Sequence, residues 1–354
     1  MWKVVKFCRT GGKGLVRRRV LVLLLMTLFI ISAILGGCAD VEIQTVTTTS
    51  NFPEKPIVTI VPFGVGGGMD LIARSLEKVS FKHLGQPLVI MNKPGGAGTI
   101  GWNELVRANP DGYTIGIVSI DVLLSPLLNA SKYNYPTALE PLAQISSPPM
   151  VLCVKADQPW QKIDDLIAYA KQHPNQLKFG HSGVGSFSNL VGEMFAQEAN
   201  ISIDQVPFSG ASEVIAALLG GHVQLIINTP GVLKEHVKNG TIRILAVSGD
   251  QRSVEAELKQ IPTFKEQGLD ITLTNWYGIA APKEMPVNVK RKLTEGFKAA
   301  ITDPEFEKIM KNAGVTVEYL GPEEMQTKWL SDSQRLSETL KGSNVLELIK
   351  AHKK

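Results

Sequence analysis

The sequence predicts an α/β protein of two domains, built from parallel sheets with helices on both faces. Three observations lead there. Short β-branched runs alternate with segments whose apolar residues recur at helical spacing, from residue 57 to residue 280. The chain has 354 residues, 44% hydrophobic and 20% charged, more than one compact core usually holds. Finally, four loops rich in Gly or Ser each leave a strand and enter a helix.

In order, Ile57–Pro62 reads as a buried strand, and Ile72, Leu76 and Val79 mark the helix after it. Leu88–Met91 is a second strand, followed by a helix through Trp102, Leu105 and Val106. The turn Asn109-Pro-Asp-Gly112 introduces a third strand, Tyr113–Ser119. Met150–Val154 precedes a helix carrying Ile163, Leu166, Ile167 and Ala170, and Lys178–His181 precedes one carrying Leu190, Met194 and Phe195. Ile203–Pro207 leads into the helix Val214–Leu219, and Val223–Asn228, Ile242–Val247 and Trp276–Ala280 complete the strands. No internal repeat of fixed period is present.

The four loops are 63–70, 94–99, 182–188 and 209–212. Unpaired amides and the positive end of the helix dipole make a helix amino terminus an anion site. In open α/β sheets the ligand lies beyond the carboxyl ends of the strands, where these loops sit. One such loop is ordinary turn chemistry. Four, divided between two halves of the chain, point to a cleft that grips an anion. Asp70 would repel that anion, so its expected role is to cap the following helix and fix the loop.

The amino terminus reads as an address. Arg17–Arg19 precedes the apolar run Val20–Leu35, which Gly36, Gly37 and Cys38 follow. A basic flank, an apolar run and small residues describe a secretory signal over 1–37, the alternative being an uncut anchor. Leu35-Gly-Gly-Cys38 resembles the lipobox of bacterial lipoproteins, in which the cysteine is lipidated and becomes the first residue. Residues 38–51 then form a Thr-rich tether. The leader holds seven basic residues and no acid, so the formal charge of +4 becomes −3 over the remaining 317 residues. A slightly acidic body has no electrostatic footprint for nucleic acid.

Enzyme and metal signatures fail in turn. Gly64-Val-Gly66 could open a dinucleotide fingerprint, but Met69 stands at the third glycine position. Gly183-Val-Gly-Ser-Phe187 is not a nucleophile elbow, and there is no Walker A or His-Glu-x-x-His sequence. The folded body keeps a single cysteine, Cys153, inside a strand-like run, where a buried inert thiol is expected. No metal site and no cofactor are expected. Of six histidines only His181 falls beside a cleft loop, in a hydrogen-bonding role.

Pro62-Phe-Gly-Val-Gly-Gly-Gly-Met-Asp-Leu-Ile-Ala-Arg74 resembles the first cleft loop of the substrate-binding proteins of tripartite tricarboxylate transporters, the Bug/TctC family. Asn92-Lys-Pro-Gly-Gly-Ala-Gly-Thr-Ile-Gly101 and Pro110-Asp-Gly-Tyr-Thr114 resemble its next motifs. Gly180-His-Ser-Gly-Val-Gly-Ser186, Val206-Pro-Phe-Ser-Gly210, Arg243-Ile-Leu-Ala-Val247 and Trp276-Tyr-Gly-Ile-Ala-Ala-Pro282 are similar to later ones. The ordered set runs from about residue 53 to about residue 325.

The resemblance implies a two-domain type II periplasmic binding protein fold, with parallel or mixed sheets and a ligand cleft between domains. Crossing strands are expected near Val151–Val154 and Trp276–Ala280. They would make domain 1 of residues 52–152 plus 276–354, and domain 2 of residues 153–275. The ligand implied is a small carboxylate, held by loop amides, hydroxyls and ordered waters. The expected site is Phe63, Gly64, Gly66, Gly67, Asp70, Gly98, Thr99, Ser119, His181, Ser182, Gly185, Ser186, Gly210, Ala211 and Asn228. The implied partners are two integral-membrane transporter subunits, with the receptor itself monomeric and held to the membrane by lipid on Cys38. Its place would be the outer face of the cell membrane.

This chain departs from the family pattern at three positions. Asn189 stands where His is often found, Ser209 replaces a common Lys, and Asn228 lies where Asp is frequent. Losing an acid at 228 removes a partner for a ligand ammonium; losing Lys at 209 weakens the case for a multiply charged acid. Two other functions fit the same sequence: a ligand sensor for signalling, and a secreted hydrolase using the Ser182–Ser188 loop.

Overall fold

Two five-stranded sheets share one plan. The computed structural model describes residues 51–341, apart from 254, 256 and 257, and residues 344–351. The expected signal peptide, Cys38 and residues 38–50 of the expected tether lie outside the described residues.

The first sheet gathers β1 (Ile57–Val61), β2 (Leu88–Asn92), β3 (Thr114–Ser119), β4 (Leu139–Ser146) and β10 (Tyr277–Pro282), in the order β2-β1-β3-β10-β4. The second gathers β5 (Val151–Lys155), β6 (Lys178–His181), β7 (Asp204–Pro207), β8 (Leu225–Asn228) and β9 (Ile242–Val247), in the order β7-β6-β8-β5-β9. The helices between them are α1 (Gly68–Leu84), α2 (Thr99–Arg107), α3 (Asp121–Leu127), α4 (Tyr135–Ala138), α5 (Ile163–Gln172), α6 (Phe187–Glu198), α7 (Ala211–Leu219) and α8 (Lys234–Lys238). After β10 come α9 (Val287–Ile301), α10 (Pro304–Asn312), α11 (Pro322–Lys341) and α12 (Val345–Ala351).

The sheets are mixed, where local patterning suggests purely parallel ones. β10 runs antiparallel to β3 and β4, and β5 runs antiparallel to β8 and β9. In each sheet the reversed strand is the first to arrive from the other sheet. The chain leaves the first sheet after β4, enters the second as β5, and returns as β10. Strand direction is a property of these long connections, so no local run of residues carries it.

Burial follows the expected periodicities. Ile57, Ile60 and Val61 of β1 are buried, as are Ile72, Leu76 and Val79 on one face of α1. Gly85 ends α1 in the left-handed conformation (φ 80°), its amide donating to the Phe81 carbonyl. Lys82 and His83 in that last turn meet Asp303, 2.8 and 2.7 Å away. Asp303 caps α10 through the Glu305 amide. Lys82, the Glu305 amide and His83 hold its carboxyl well below the usual carboxylate range. Cys153 is fully buried in β5, and burial pushes its thiol up.

Register places the loops. Val61 pairs with Asn92 at the carboxyl ends of β1 and β2, so loops 63–70 and 94–99 leave side by side. His181 pairs with Pro207, which does the same for loops 182–188 and 209–212.

Candidate functional site

The loops from the two sheets meet. The Ser212 hydroxyl on α7 donates to the Val65 carbonyl at 2.8 Å. Gly64 and Gly210 approach so closely that a Cβ on Gly210 would lie 3.0 Å from the Gly64 nitrogen. Gly66 takes φ 79°, a conformation that favours glycine, to turn the chain at this rim.

Behind the rim lies a cavity of about 60 Å³, lined from both halves. Phe63, Gly67, Gly68 and Met69 come from the β1–α1 loop and the start of α1, and Asp121 from the start of α3. Ser182, Ser186, Phe187, Ser188, Ala211, Asn228 and Thr229 come from the second sheet's loops and helix starts. Met150, Asn275 and Tyr277 come from the segments where the chain passes between sheets. The space suits a handful of solvent-sized groups.

Six residues expected in the site line this cavity: Phe63, Gly67, Ser182, Ser186, Ala211 and Asn228. The others of that set support the loops. Gly64, Gly66 and Gly210 form the rim. The Gly185 amide donates to Asn189 Oδ1, and Asn189 Nδ2 donates on to Gln205, so Asn189 braces the loop from within. Thr99 donates to the Gly96 carbonyl, while a Cβ on Gly98 (φ 91°) would strike Trp102 at 2.5 Å. His181 is buried, stacked on Phe179 at 5.5 Å.

Asp70 fixes its loop by a route other than the one expected. The cap position of α1 is Gly67, with no side-chain bond. The Asp70 carboxylate instead accepts from the Gly66 amide, Arg74 Nε and Asn92 Nδ2, all at 2.9 Å. Burial raises its pKa, yet bonds from Arg74, Gly66 and Asn92 outweigh burial and lower it.

The same economy recurs at two other loops, and it changes the reading of them as open anion seats. Glu213 accepts from the Ser209 amide at 3.1 Å and from the Ser209 hydroxyl. Asp121 accepts from the Phe187 amide, the first of α6, at 2.7 Å. These amides already serve the chain's own carboxylates. Ser186 is likewise engaged: its hydroxyl caps α6 by accepting from the Asn189 amide at 3.3 Å and lies 3.0 Å from the Ser188 hydroxyl.

Asp121, Met150, Thr229, Asn275 and Tyr277 are the lining residues outside the expected loops that sequence reasoning missed. Asp121 Oδ2 accepts from Ser119, a residue expected in the site, at 2.6 Å. Burial raises the Asp121 pKa, opposed by bonds from Ser119, the Phe187 amide and its own amide. Tyr277 Oη stands 3.4 Å from Thr229 Oγ1. A Cβ on Gly68 would meet that phenol oxygen at 2.5 Å, so the close approach requires glycine there. Burial pushes the Tyr277 hydroxyl up to about 12, and it is a neutral donor at ordinary pH. Asn228 Nδ2 and Asn275 Oδ1 are buried without a partner.

Comparison with known proteins gives this cleft its context. The family described as "Tripartite tricarboxylate transporter family receptor" matches residues 72–341. The chain belongs to that receptor family. Protein BugT of Bordetella pertussis is 32% identical over 250 residues, which is 69% of this chain and 76% of BugT. The solved structure of the periplasmic binding protein BugD superposes with a TM-score of 0.78 at 30% identity, covering 83% of this receptor and 99% of BugD. A structure described as R. palustris Rpa4515 with adipate gives a TM-score of 0.77 at 28% identity, covering 82% of this receptor and 98% of that chain. The fold is that of a two-domain periplasmic binding protein with its cleft between domains. This receptor is a substrate-binding protein and not an enzyme, which removes the hydrolase reading of the Ser182–Ser188 loop. The Ser186 hydroxyl is occupied in capping a helix.

Proposed function

We propose that this chain captures a small carboxylate outside the cytoplasm, by closing two domains over it, and delivers it to two integral-membrane transporter subunits. The observation that carries the reading is the cavity lined by loops of both sheets behind a rim where their backbones touch. A ligand reaching both sets of groups stabilises the closed arrangement by its differential affinity for the two states. The Ser182 hydroxyl, the one O–H that the bonded pair Ser186 and Ser188 leaves free, Asn228 Nδ2 and the start of α1 supply donors for a carboxylate. The adipate carried by the R. palustris relative is a ligand of this chemical class. Domain 1 would comprise 52–152 plus 276–354 and domain 2 residues 153–275, moving about the segments that join them. No cofactor takes part, and the receptor works as a monomer.

The reading is tested by thermal shift against a panel of small carboxylic acids and amino acids, with small-angle scattering on the hits. A binder at a hundredfold excess over its Kd should add roughly 2.7 kcal/mol of stability. The radius of gyration should fall while circular dichroism stays unchanged. A panel without a single stabilising acid, or a scattering curve unmoved by a bound one, overturns the proposal.

Export and anchoring rest on Arg17–Arg19, the apolar run Val20–Leu35 and Leu35-Gly-Gly-Cys38. Cys38→Ser should shift the protein from the membrane fraction to the soluble one. Mass spectrometry of the wild-type mature chain should find a diacylglycerol adduct on Cys38; a bare thiol there would remove the anchor from the scheme.

A further inference from the structure

The cavity holds a carboxyl group with no basic partner. Among the residues lining it Asp121 is the only carboxylic acid, and no Lys, Arg or His joins it. Asp121 is 6% exposed, and its two oxygens accept from Ser119 Oγ and the Phe187 amide. Two neutral donors and the positive end of α6 offset part of the cost of burying a carboxylate, but they supply no counter-charge.

Two further atoms define what is missing. Asn275 Oδ1 is an acceptor without a donor, and Asn228 Nδ2 is a donor without an acceptor; both side chains are more than nine-tenths buried and line the same cavity. A carboxylate can accept from Asn228 Nδ2. It can give nothing to Asn275 Oδ1 or to Asp121, because an ionised carboxylate only accepts. An ammonium group brings three N–H donors and the absent positive charge. The α6 amino terminus, one of the four anion seats read from the sequence, is occupied by Asp121 itself. The remaining donors suffice for one ligand carboxylate. A second would enter an acidic, poorly solvated space with no cation to meet it.

We propose that Asp121 receives an ammonium group of the ligand, so that the receptor selects a small zwitterion with one carboxylate and one ammonium over di- and tricarboxylates. The inference rests on the carboxylate-capture reading and narrows its substrate class. It also supplies, from the start of α3, the acid that Asn228 lacks.

The test is isothermal titration of the full chain at neutral pH with matched pairs that differ only in the amino group: L-alanine and propionate, L-valine and isovalerate, L-norvaline and pentanoate, with succinate, malate and adipate beside them. In at least one pair the amino acid should bind about tenfold or more tightly than its deaminated partner, and tighter than any dicarboxylate. Asp121→Asn keeps the shape and an acceptor for the Phe187 amide while removing the charge. It should erase the amino acid's advantage over its deaminated partner. The wild-type pairs already decide the matter should the variant fold poorly. A dicarboxylate as the tightest binder, or a pair ratio unchanged in Asp121→Asn, overturns this proposal and leaves the capture reading standing. Failure of every acid and amino acid to bind overturns both.

Discussion

Gly192→Val should cost about 3 kcal/mol or more and loosen the half of the chain built on the second sheet. Gly192 lies in the middle of α6, and a Cβ there would sit 2.1 Å from Phe179 Cε1 and 2.4 Å from Cζ. Phe179 is fully buried in β6 and stacked on His181, so its ring is boxed in by core. Overpacking of this kind usually costs about 1–3 kcal/mol, and a branched side chain with no room even for its Cβ belongs at the top of that range. The damage would reach the cleft, because α6 carries Ser186 and the Phe187 amide at its other end. Urea denaturation of Gly192→Ala and Gly192→Val should give a graded fall in midpoint. Adding Phe179→Leu to Gly192→Ala should recover part of the loss, as a positive coupling between neighbours. An unchanged midpoint for the valine variant would mean that helix and strand separate more easily than this packing allows.

Trp276→Ala should be comparably severe, at about 3–5 kcal/mol, the usual cost of deleting a buried aromatic. Trp276 is 1% exposed and stacks on Trp329 of α11, with ring centroids 5.9 Å apart. Its indole nitrogen donates to Asp332 at 3.0 Å. The pair locks α11 beside the point where the chain re-enters the first sheet as β10. Asn275, the preceding residue, lines the cavity, so the variant should also blur the site. Asp332→Asn keeps the stack and should cost far less. Equilibrium unfolding followed by near-ultraviolet circular dichroism separates the two variants; equal losses would assign the effect to the Asp332 bond instead of the ring.

The local pattern of the sequence carries most of the fold and only part of the site. β1 lies where its run Ile57-Val-Thr-Ile-Val61 places it, because a strand buried on both faces shows as an unbroken β-branched segment. β4 is hidden by Glu140 and Pro141, which interrupt its apolar run and are tolerated near the start of a strand at the sheet's edge. The direction of β5 and β10 is invisible locally, since it depends on which sheet each strand joins. At the site, glycine and serine at strand ends find Phe63, Gly67, Ser182, Ser186 and Ala211, because turn chemistry and helix starts have local signatures. Asp121 and Asn275 have none. Their importance comes from being buried against groups distant in sequence. A signal was nevertheless there: a carboxylate two residues past the end of a buried strand, leading directly into Val122-Leu-Leu, has to be accounted for on burial grounds alone.

The contact of Gly64 with Gly210 has a kinetic side. Where the Gly64 and Gly210 backbones meet, neither residue has a side chain that can swing aside to let a molecule through. Under the capture proposed above, a molecule reaches the cavity only after the halves have parted, and that step is the same whatever waits outside. Arrival rates of different ligands should therefore crowd toward one value. Discrimination by Asp121, Asn228 and Asn275 would be written in how long each ligand stays, as a filter on dwell time and not on admission.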